Sequence, residues 1–335
     1  MDPSLYKDLK TSRGVNYHYY YHPASDSSKP TLLLLHGFPS TSTDWARVAE
    51  YFSKEGYGVL VPDLFGYGGT DKPTDPDAYR MKNMTKDIID ILDAEKLNKV
   101  VTVSHDWGSG LNSRLAVYYP DRIYAFAFFA VGYVPPAPFD VDAINAASIE
   151  KNGYANFGYW KFFAKEGADK TLLDHLESFF SLIYGKGLDG DEGKKHFCPE
   201  GALEEWLLAD RKTDKLIIND ELKRSYIDIF SKNGFAGPLC WYKAYVFNLT
   251  QQDDAKFPQS AYPITQPVYF GACTNDPACV AEDNINIVQA LCPNATIKEF
   301  NSSHWVLHEY PSEVNEELKK WLNGLKLEVP KKSSL

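Results

Sequence analysis

The sequence has few cysteines, no long apolar run and no basic cluster, and each absence excludes a class of protein. Five cysteines in 335 residues, without a Cys-x-x-Cys spacing, argue against a disulfide framework and predict reduced thiols. No stretch approaches the ~18 apolar residues of a membrane span, and the first residues lack the charged-then-apolar pattern of a signal peptide. We therefore expect a cytoplasmic protein with no membrane span. The cysteines are Cys198, Cys240, Cys273, Cys279 and Cys292.

The C-terminal residues suggest a different cellular compartment. Ser333-Ser334-Leu335 weakly matches the peroxisomal Ser-Lys-Leu signal but lacks its basic middle residue. The peroxisome is therefore kept only as an alternative to the cytoplasm.

The charge balance is acidic, with a formal net charge of −10 and an isoelectric point near 5.3. Such a balance argues against a nucleic-acid partner. Hydrophobic residues make up 44% of the chain and aromatic residues 14%, enough for a large core and an apolar pocket. The composition is compatible with a small, neutral substrate, predicts no cofactor, and leaves the oligomeric state open.

The segment Ser104–Ser109 carries the strongest functional signal. An apolar run predicts a buried strand over Lys99–Val103, and Gly110–Tyr118 is predicted to be a helix. A strand that ends in small-x-nucleophile-x-small-small and turns directly into a helix is typical of a nucleophile elbow. Asp106 lies at the tip of this predicted elbow. The competing interpretation is an aspartate that only caps a helix.

An aspartate at the tip changes the chemistry that the elbow supports. A serine needs a base to remove its proton, whereas a carboxylate with an ordinary pKa near 4 is already an anion at neutral pH. Such a nucleophile suits displacement at a saturated carbon, which leaves an alkyl ester on the enzyme. The sequence therefore indicates an epoxide or an alkyl halide as the substrate.

The parts that would hydrolyse this ester follow the expected chain order. Thr31–Leu35 is predicted to be a buried strand, and the loop after it places the Phe38 N–H, with the Trp107 N–H, as oxyanion-hole donors. Strands predicted at Gln266–Ala272 and Thr296–Phe300 are followed by Asp276 and His304. Nucleophile, acid and then histidine is the order of an α/β-hydrolase triad. His304 is thus the predicted base for water, oriented by Asp276.

His308 lies one helical turn after His304 and would suit a metal site. No carboxylate or cysteine stands at ligand spacing, and His304 precedes the predicted helix. We therefore predict no metal.

The alternation of apolar strands and helices predicts an α/β fold of the α/β-hydrolase type, with a mostly parallel sheet flanked by helices. A proline-rich stretch at Val134–Pro138 interrupts the alternation, after which the chain becomes helical and aromatic. We expect a helical cap inserted into the core, with helices at Leu203–Asp210 and Ile217–Phe230 and a closing core helix at Pro311–Leu322. The predicted domains are a core of residues 1–134 and 251–327, a cap of 135–250 and a polar tail of 328–335.

These motifs resemble the soluble epoxide hydrolases of the α/β-hydrolase superfamily, particularly the single-domain forms. The resemblance rests on His36-Gly37-Phe38-Pro39, Ser104–Ser109, Asp276 and His304-Trp305, and it covers nearly the whole chain. It implies hydrolysis of an epoxide to a vicinal diol through a covalent hydroxyalkyl ester on Asp106.

The resemblance also implies two tyrosines that stabilise the epoxide oxygen. The segment Gly237–Lys243 is similar to the family's cap motif and places one of them at Tyr242. A looser aromatic match over Phe157–Phe163 places the other at Tyr159. A phenol with a pKa near 10 stays protonated at neutral pH and can donate to an alkoxide. Trp160 and Leu239 are predicted to line the substrate pocket.

Two other functions use parts of the same site. A haloalkane or haloacid dehalogenase shares the aspartate and histidine but needs side-chain donors for halide. Trp107 would serve as one donor, yet position 38 is phenylalanine where the haloalkane branch often has asparagine. A non-catalytic protein that binds a hydrophobic ligand would be favoured by a broken triad, and the predicted triad is complete.

Overall fold

The computed structural model describes residues 1–186 and 191–329, and its central element is a sheet of eight strands in the order β1-β2-β4-β3-β5-β6-β7-β8. The first two strands, β1 and β2, pair antiparallel as a hairpin, and β2 pairs antiparallel with β4. All other pairings are parallel. The strands are β1 (Tyr6–Lys10), β2 (Asn16–His22), β3 (Thr31–Leu35), β4 (Gly58–Pro62), β5 (Val100–His105), β6 (Ile123–Phe129), β7 (Val268–Cys273) and β8 (Ala295–Phe300).

The parallel strands are apolar because helices cover both faces of the sheet. Every residue of β3, β4, β5 and β7 is buried, without the alternation of a sheet that faces water. The helices are α1 (Ala46–Lys54), α2 (Met81–Ala94), α3 (Trp107–Tyr118), α4 (Val141–Asn152), α5 (Tyr159–Ala164), α6 (Ala168–Asp174), α7 (Leu176–Ile183), α8 (Asp191–His196), α9 (Ala202–Leu208), α10 (Asp220–Asn233), α11 (Leu239–Val246), α12 (Leu249–Asp254), α13 (Ala281–Leu291), α14 (Val306–Glu309) and α15 (Pro311–Gly324).

The two faces have separate cores. Helices α1 and α15 pack on one face with residues such as Phe52 and Leu318. On the opposite face, α2, α3 and α13 contribute residues such as Ile88 and Leu111, and this core continues into the helices α5–α11. The helices between β6 and β7 therefore share one apolar core with the sheet.

Most predicted elements are present, and the boundaries that shifted have local causes. The helix α2 ends at Ala94, because Lys96 adopts a positive φ of 57° and Leu97 N–H donates to the Leu92 carbonyl. The start of α10 lies three residues later than expected, because the Asn219 side chain caps it by accepting from Leu222 N–H.

None of the described helices combines the length and the apolar character that crossing a membrane requires. All five cysteines are free and buried. The tripeptide Ser333-Ser334-Leu335 lies outside the described residues, as does most of the predicted tail.

A buried arginine in α3 links this helix to the segment that precedes β7. Arg114 of α3 is 1% exposed, and its Nε lies 2.7 Å from Asp254 Oδ2 at the end of α12. Its Nη1 donates to the Val134 carbonyl, and its Nη2 donates to the Tyr245 hydroxyl at 3.1 Å. One guanidinium therefore holds three segments together at the base of the helical insertion.

We expect Arg114→Met to destabilise the fold by about 3–5 kcal/mol, because it leaves the buried Asp254 carboxylate without its cationic partner. Denaturant unfolding followed by circular dichroism measures this change. Lys54→Met, which removes the exposed ion pair with Glu50, serves as the control and should change stability little. Equal stability of the two variants would contradict the anchoring role of Arg114.

Candidate active site

Asp106 lies at the tip of a tight turn between β5 and α3, as predicted. Its backbone has φ 52° and ψ −125°, a conformation that residues with a Cβ rarely adopt. The strand β5 ends at His105 and α3 begins at Trp107, so Asp106 alone connects strand to helix. The carboxylate thus stands at the carboxyl end of a central parallel strand, where α/β proteins place ligands.

Two glycines allow this turn to pack closely against the end of β3. A Cβ at Gly37 would lie 2.3 Å from Asp106 Oδ1, and a Cβ at Gly108 would lie 2.2 Å from the Leu35 carbonyl oxygen. Neither position has room for any side chain. The small flanking residues of the motif are therefore a steric requirement of the site.

His304 lies between two carboxylates. Its Nδ1 is 2.6 Å from Asp276 Oδ2, and its Nε2 is 3.2 Å from Asp106 Oδ2. Asp276 follows β7 and His304 follows β8, and these two strands pair in parallel, so their loops lie at one edge of the sheet. The second oxygen of Asp276 accepts from the N–H groups of Ala278 and Cys279. The three residues predicted as a triad are brought together in a connected chain of hydrogen bonds.

The charges of Asp106, His304 and Asp276 stabilise an ion pair between Asp106 and His304. Burial alone would raise the pKa of Asp106, but the hydrogen bond and charge of His304 and the Phe38 N–H outweigh it and hold the pKa below its ordinary value. Burial alone would lower the pKa of His304, but the charge of Asp276 and the hydrogen bonds to both carboxylates raise it well above its ordinary value. The resting site therefore holds an anionic Asp106 beside a protonated His304.

One predicted oxyanion donor already contacts the nucleophile. Phe38 N–H donates to Asp106 Oδ1 at 2.8 Å. Trp107 is the first residue of α3, so its N–H belongs to the helix end whose amides have no partner within the helix. The His36 ring is structural, because its Nε2 accepts from Leu64 N–H and its other nitrogen lies 2.9 Å from the Gly37 carbonyl.

The two tyrosines implied by the family resemblance lie across from Asp106. Tyr159 begins α5 and Tyr242 lies in α11, and both are buried, with ring centroids 6.2 Å apart. Burial raises the pKa of each hydroxyl well above its ordinary value, and the nearby Asp106 charge adds to the effect. Both phenols are therefore protonated donors beside a buried carboxylate.

Asp106, Tyr159 and Tyr242 together border two cavities of unequal size. One has a volume of about 30 Å³ and also contacts Asp276 and His304. The other has a volume of about 140 Å³ and is lined by aromatic and aliphatic side chains, including the predicted pocket residue Trp160. Leu239 is buried one helical turn before Tyr242 but is absent from the described residues that line these two cavities. The carboxylate thus faces an enclosed, mostly apolar space.

Comparisons with known proteins agree on one family. The family model of the α/β-hydrolase fold matches residues 30–169. Epoxide hydrolase 2 of Siraitia grosvenorii is 33% identical over 266 residues, which cover 78% of each chain. Epoxide hydrolase A of Mycobacterium tuberculosis is 28% identical over 311 residues, covering 91% of this chain and 94% of the relative. The crystal structure of epoxide hydrolase A from Mycobacterium thermoresistibile has a TM-score of 0.76 at 26% identity, covering 96% of this chain and 99% of that one.

This chain belongs to the epoxide hydrolase family. The predicted fold class is confirmed, because the sheet is mostly parallel, helices flank it, and the related structures share the arrangement. The family resemblance drawn from the motifs is confirmed with it.

His105 has a place in this epoxide hydrolase that sequence analysis missed. The elbow pattern accepts any residue at position 105, yet His105 is 1% exposed and its Nε2 lies 2.7 Å from the His304 carbonyl oxygen. Burial and the neighbouring His304 charge lower its pKa to about 4, so the ring is neutral and donates to that carbonyl. A strand-end histidine therefore positions the backbone of His304, a contact that joins residues 199 positions apart.

Cys279 is the second residue that sequence analysis did not connect to the site. Among the described residues, potential ligand atoms of Asp276, Cys279 and His304 lie within 4.8 Å of one another, as in a metal site. Asp276 and His304, however, already bond each other at 2.6 Å. Burial also raises the pKa of the Cys279 thiol to about 12, which disfavours the thiolate that binds metals. We therefore assign Cys279 to the wall of the site and not to a metal centre.

We expect Asp276→Asn to lower the pKa of His304, because the variant loses the charge that opposes the effect of burial. A titration of the imidazole nitrogens by NMR measures this pKa. Asp106→Asn should lower it as well, since His304 then loses its other carboxylate. Asp121→Asn, an exposed residue in the turn before β6, provides the control. An unchanged His304 titration in Asp276→Asn would contradict the electrostatic account.

Proposed function

We propose that this protein hydrolyses an epoxide to a vicinal diol through a covalent hydroxyalkyl ester on Asp106. The observation that carries the proposal is that Asp106 and two buried tyrosines border the same two cavities, one of which also contacts His304. Membership of the epoxide hydrolase family supports the same activity. The substrate and water are the only reactants that this scheme requires.

In the first step, a carboxylate oxygen of Asp106 attacks a ring carbon while the bond between that carbon and the epoxide oxygen breaks. The lowered pKa of Asp106 keeps the nucleophile ionised without a separate base. The oxygen that is released stays attached to the substrate as an alkoxide. Tyr159 and Tyr242 donate to this oxygen and supply a proton, since both hydroxyls are protonated in the resting site.

Ester formation itself prepares His304 for the second step. The ester carries no charge, so His304 loses one of the two carboxylates that raise its pKa. Its proton then restores the tyrosine that gave a proton to the alkoxide. His304 becomes neutral at the stage where a base is needed.

In the second step, neutral His304 takes a proton from water, and the resulting hydroxide adds to the Asp106 carbonyl. The N–H groups of Phe38 and Trp107 hold the oxyanion that forms. Collapse of this intermediate releases the diol, which leaves with the proton of His304. The Asp106 acid then returns a proton to His304, so one water is consumed and the starting ion pair is restored.

We also propose that residues 135–250 form a helical cap on a core of residues 1–134 and 251–327. The last sheet residue before the insertion is Phe129, and the sheet resumes at Val268. Both tyrosines come from the helices in between, whereas Asp106, Asp276 and His304 come from the ends of strands. The substrate would thus bind between cap and core.

The five free, buried cysteines support our proposal that the protein works in a reducing compartment such as the cytoplasm. The peroxisomal alternative rests on Ser333–Leu335 alone.

We expect His304→Gln to stop after the first step and to consume about one equivalent of epoxide per enzyme. Intact-protein mass spectrometry should then show an adduct equal to the mass of the epoxide. Asp106→Ala is the control and should show no adduct, because it lacks the nucleophile. Normal turnover by His304→Gln would exclude His304 as the base for water.

We expect Tyr242→Phe and Tyr159→Phe each to lower kcat/KM for epoxide hydrolysis by about 10²–10⁴-fold, the usual contribution of a general acid. Tyr124→Phe, far from Asp106 with its hydroxyl on the Glu328 carbonyl, controls for the loss of a hydroxyl group. Diol formation measures the rates, and halide release from a chloroalkane is followed in parallel. Halide release that survives Tyr242→Phe, with no diol formed, would indicate a dehalogenase instead.

A further inference from the structure

The space around Asp106 is strongly asymmetric. On the side of the triad, the cavity of about 30 Å³ is closed by residues that are all buried or half-buried, among them Ile183, Phe197 and Trp305. A cavity needs roughly 10–15 Å³ on this scale to hold one water. This side therefore has room for the hydrolytic water and for little else.

The opposite side continues to the surface. The cavity of about 140 Å³ shares six wall residues with a further cavity of about 550 Å³, here called the vestibule: Val131, Val134, Phe139, Phe157, Tyr245 and Cys279. The vestibule lies between the Val131–Phe139 linker, α4 and α13, and its rim includes the exposed Ala137, Ala147 and Ile287. A substrate substituent that leaves Asp106 in this direction has an apolar path to solvent.

The closed side is held by more than apolar contact. Trp305 Nε1 donates to the Ile183 carbonyl at 2.7 Å, and its ring packs on Tyr184 with centroids 4.4 Å apart. The Phe197 ring stacks on Tyr159 at 4.3 Å. Opening this side would break a buried hydrogen bond and two ring contacts, so its small volume is built into the packing.

Among the described residues that line the vestibule, none is an unpaired cation that would bind an acidic substrate. Its two basic wall residues are Arg114 and Lys151. Arg114 is paired with Asp254, and Lys151 is paired with Asp283 and Glu282 at 2.5 and 3.2 Å. A substrate carboxylate in the vestibule would meet carboxylates that already occupy both cations, whereas an uncharged arm would meet mostly apolar surface.

We propose that the substrates of this enzyme are epoxides with a single, uncharged apolar arm, which lies in the vestibule while the other ring carbon carries hydrogen or at most a methyl group. This inference rests on the proposed function and specifies the substrate class for the same site. Epoxides with a long chain on each ring carbon, such as mid-chain fatty-acid epoxides, are excluded because the cavity of about 30 Å³ that the described residues form on the triad side is too small for a second chain.

The first test compares isomers of equal composition. The value of kcat/KM for 1,2-epoxyoctane should exceed that for trans-4,5-epoxyoctane by at least about tenfold, since misfit of a single methylene in a pocket costs roughly 10–200-fold. Along terminal epoxides from four to eight carbons, kcat/KM should rise by up to about fourfold per methylene as the arm fills the vestibule. For 10,11-epoxyundecanoic acid, the methyl ester should be hydrolysed faster than the free acid.

A matched pair of variants on α4 tests where the arm lies. Ile144 lines the vestibule, whereas Ile149 of the same helix is 53% exposed and faces away from it. Ile144→Trp should lower kcat/KM for 1,2-epoxyoctane several-fold and leave 1,2-epoxybutane nearly unchanged. Ile149→Trp should affect neither substrate.

The outcomes separate this inference from the function on which it rests. Equal kcat/KM values for the two epoxyoctanes, or a preference for the free acid, would overturn the single-arm proposal while leaving epoxide hydrolysis established. Hydrolysis of neither isomer, with no adduct on His304→Gln, would overturn the proposed function and the inference together. The substrate comparison uses the unmodified enzyme, so it stands even where a tryptophan variant fails to fold.

Discussion

The site depends on a buried histidine held between two carboxylates. Burial alone would raise the pKa of Asp106 and lower that of His304, so it disfavours both ions. Asp106 and His304 stabilise each other in their charged forms, and His304 is stabilised further by Asp276, whose second oxygen accepts from two backbone amides. A nucleophile that is ionised inside an apolar enclosure follows directly from this arrangement.

The fold maintains this arrangement by bringing strand ends together. Asp106, Asp276 and His304 follow β5, β7 and β8, strands of one parallel sheet whose carboxyl ends lie at the same edge. The close contacts of Gly37 with Asp106 and of Gly108 with the Leu35 carbonyl hold the carboxyl ends of β3 and β5 tightly together. The helices between β6 and β7 then cover the carboxylate with aromatic side chains, which exclude water and bring in Tyr159 and Tyr242. The sheet thus fixes the positions of Asp106, Asp276 and His304, and the helices between β6 and β7 determine the shape of the cavities around Asp106.

Local sequence patterns predicted the elements of the site well, because each of those patterns has a local steric or chemical cause. The elbow requires small residues beside Asp106, and β3 was predicted with its observed bounds because four of its five residues are leucines. Element boundaries were less predictable, since a positive φ at Lys96 or a side-chain cap at Asn219 depends on single residues that many sequences carry without ending a helix there. His105 and Cys279 were missed because their contacts with His304 join strand ends that are distant in sequence.

The sequence by itself determined the class of fold and predicted Asp106 as the nucleophile and the chain order of the triad, because strand-end motifs and apolar runs are local in the chain. Only the tertiary structure decided the closed space on one side of Asp106, the open vestibule on the other, and the ion pairs at Arg114 and Lys151. A cavity is bounded by side chains from segments far apart in sequence, so its size is a property of their packing. The chemistry of the site can therefore be predicted from the sequence, whereas the shape of the pocket is determined by the tertiary structure.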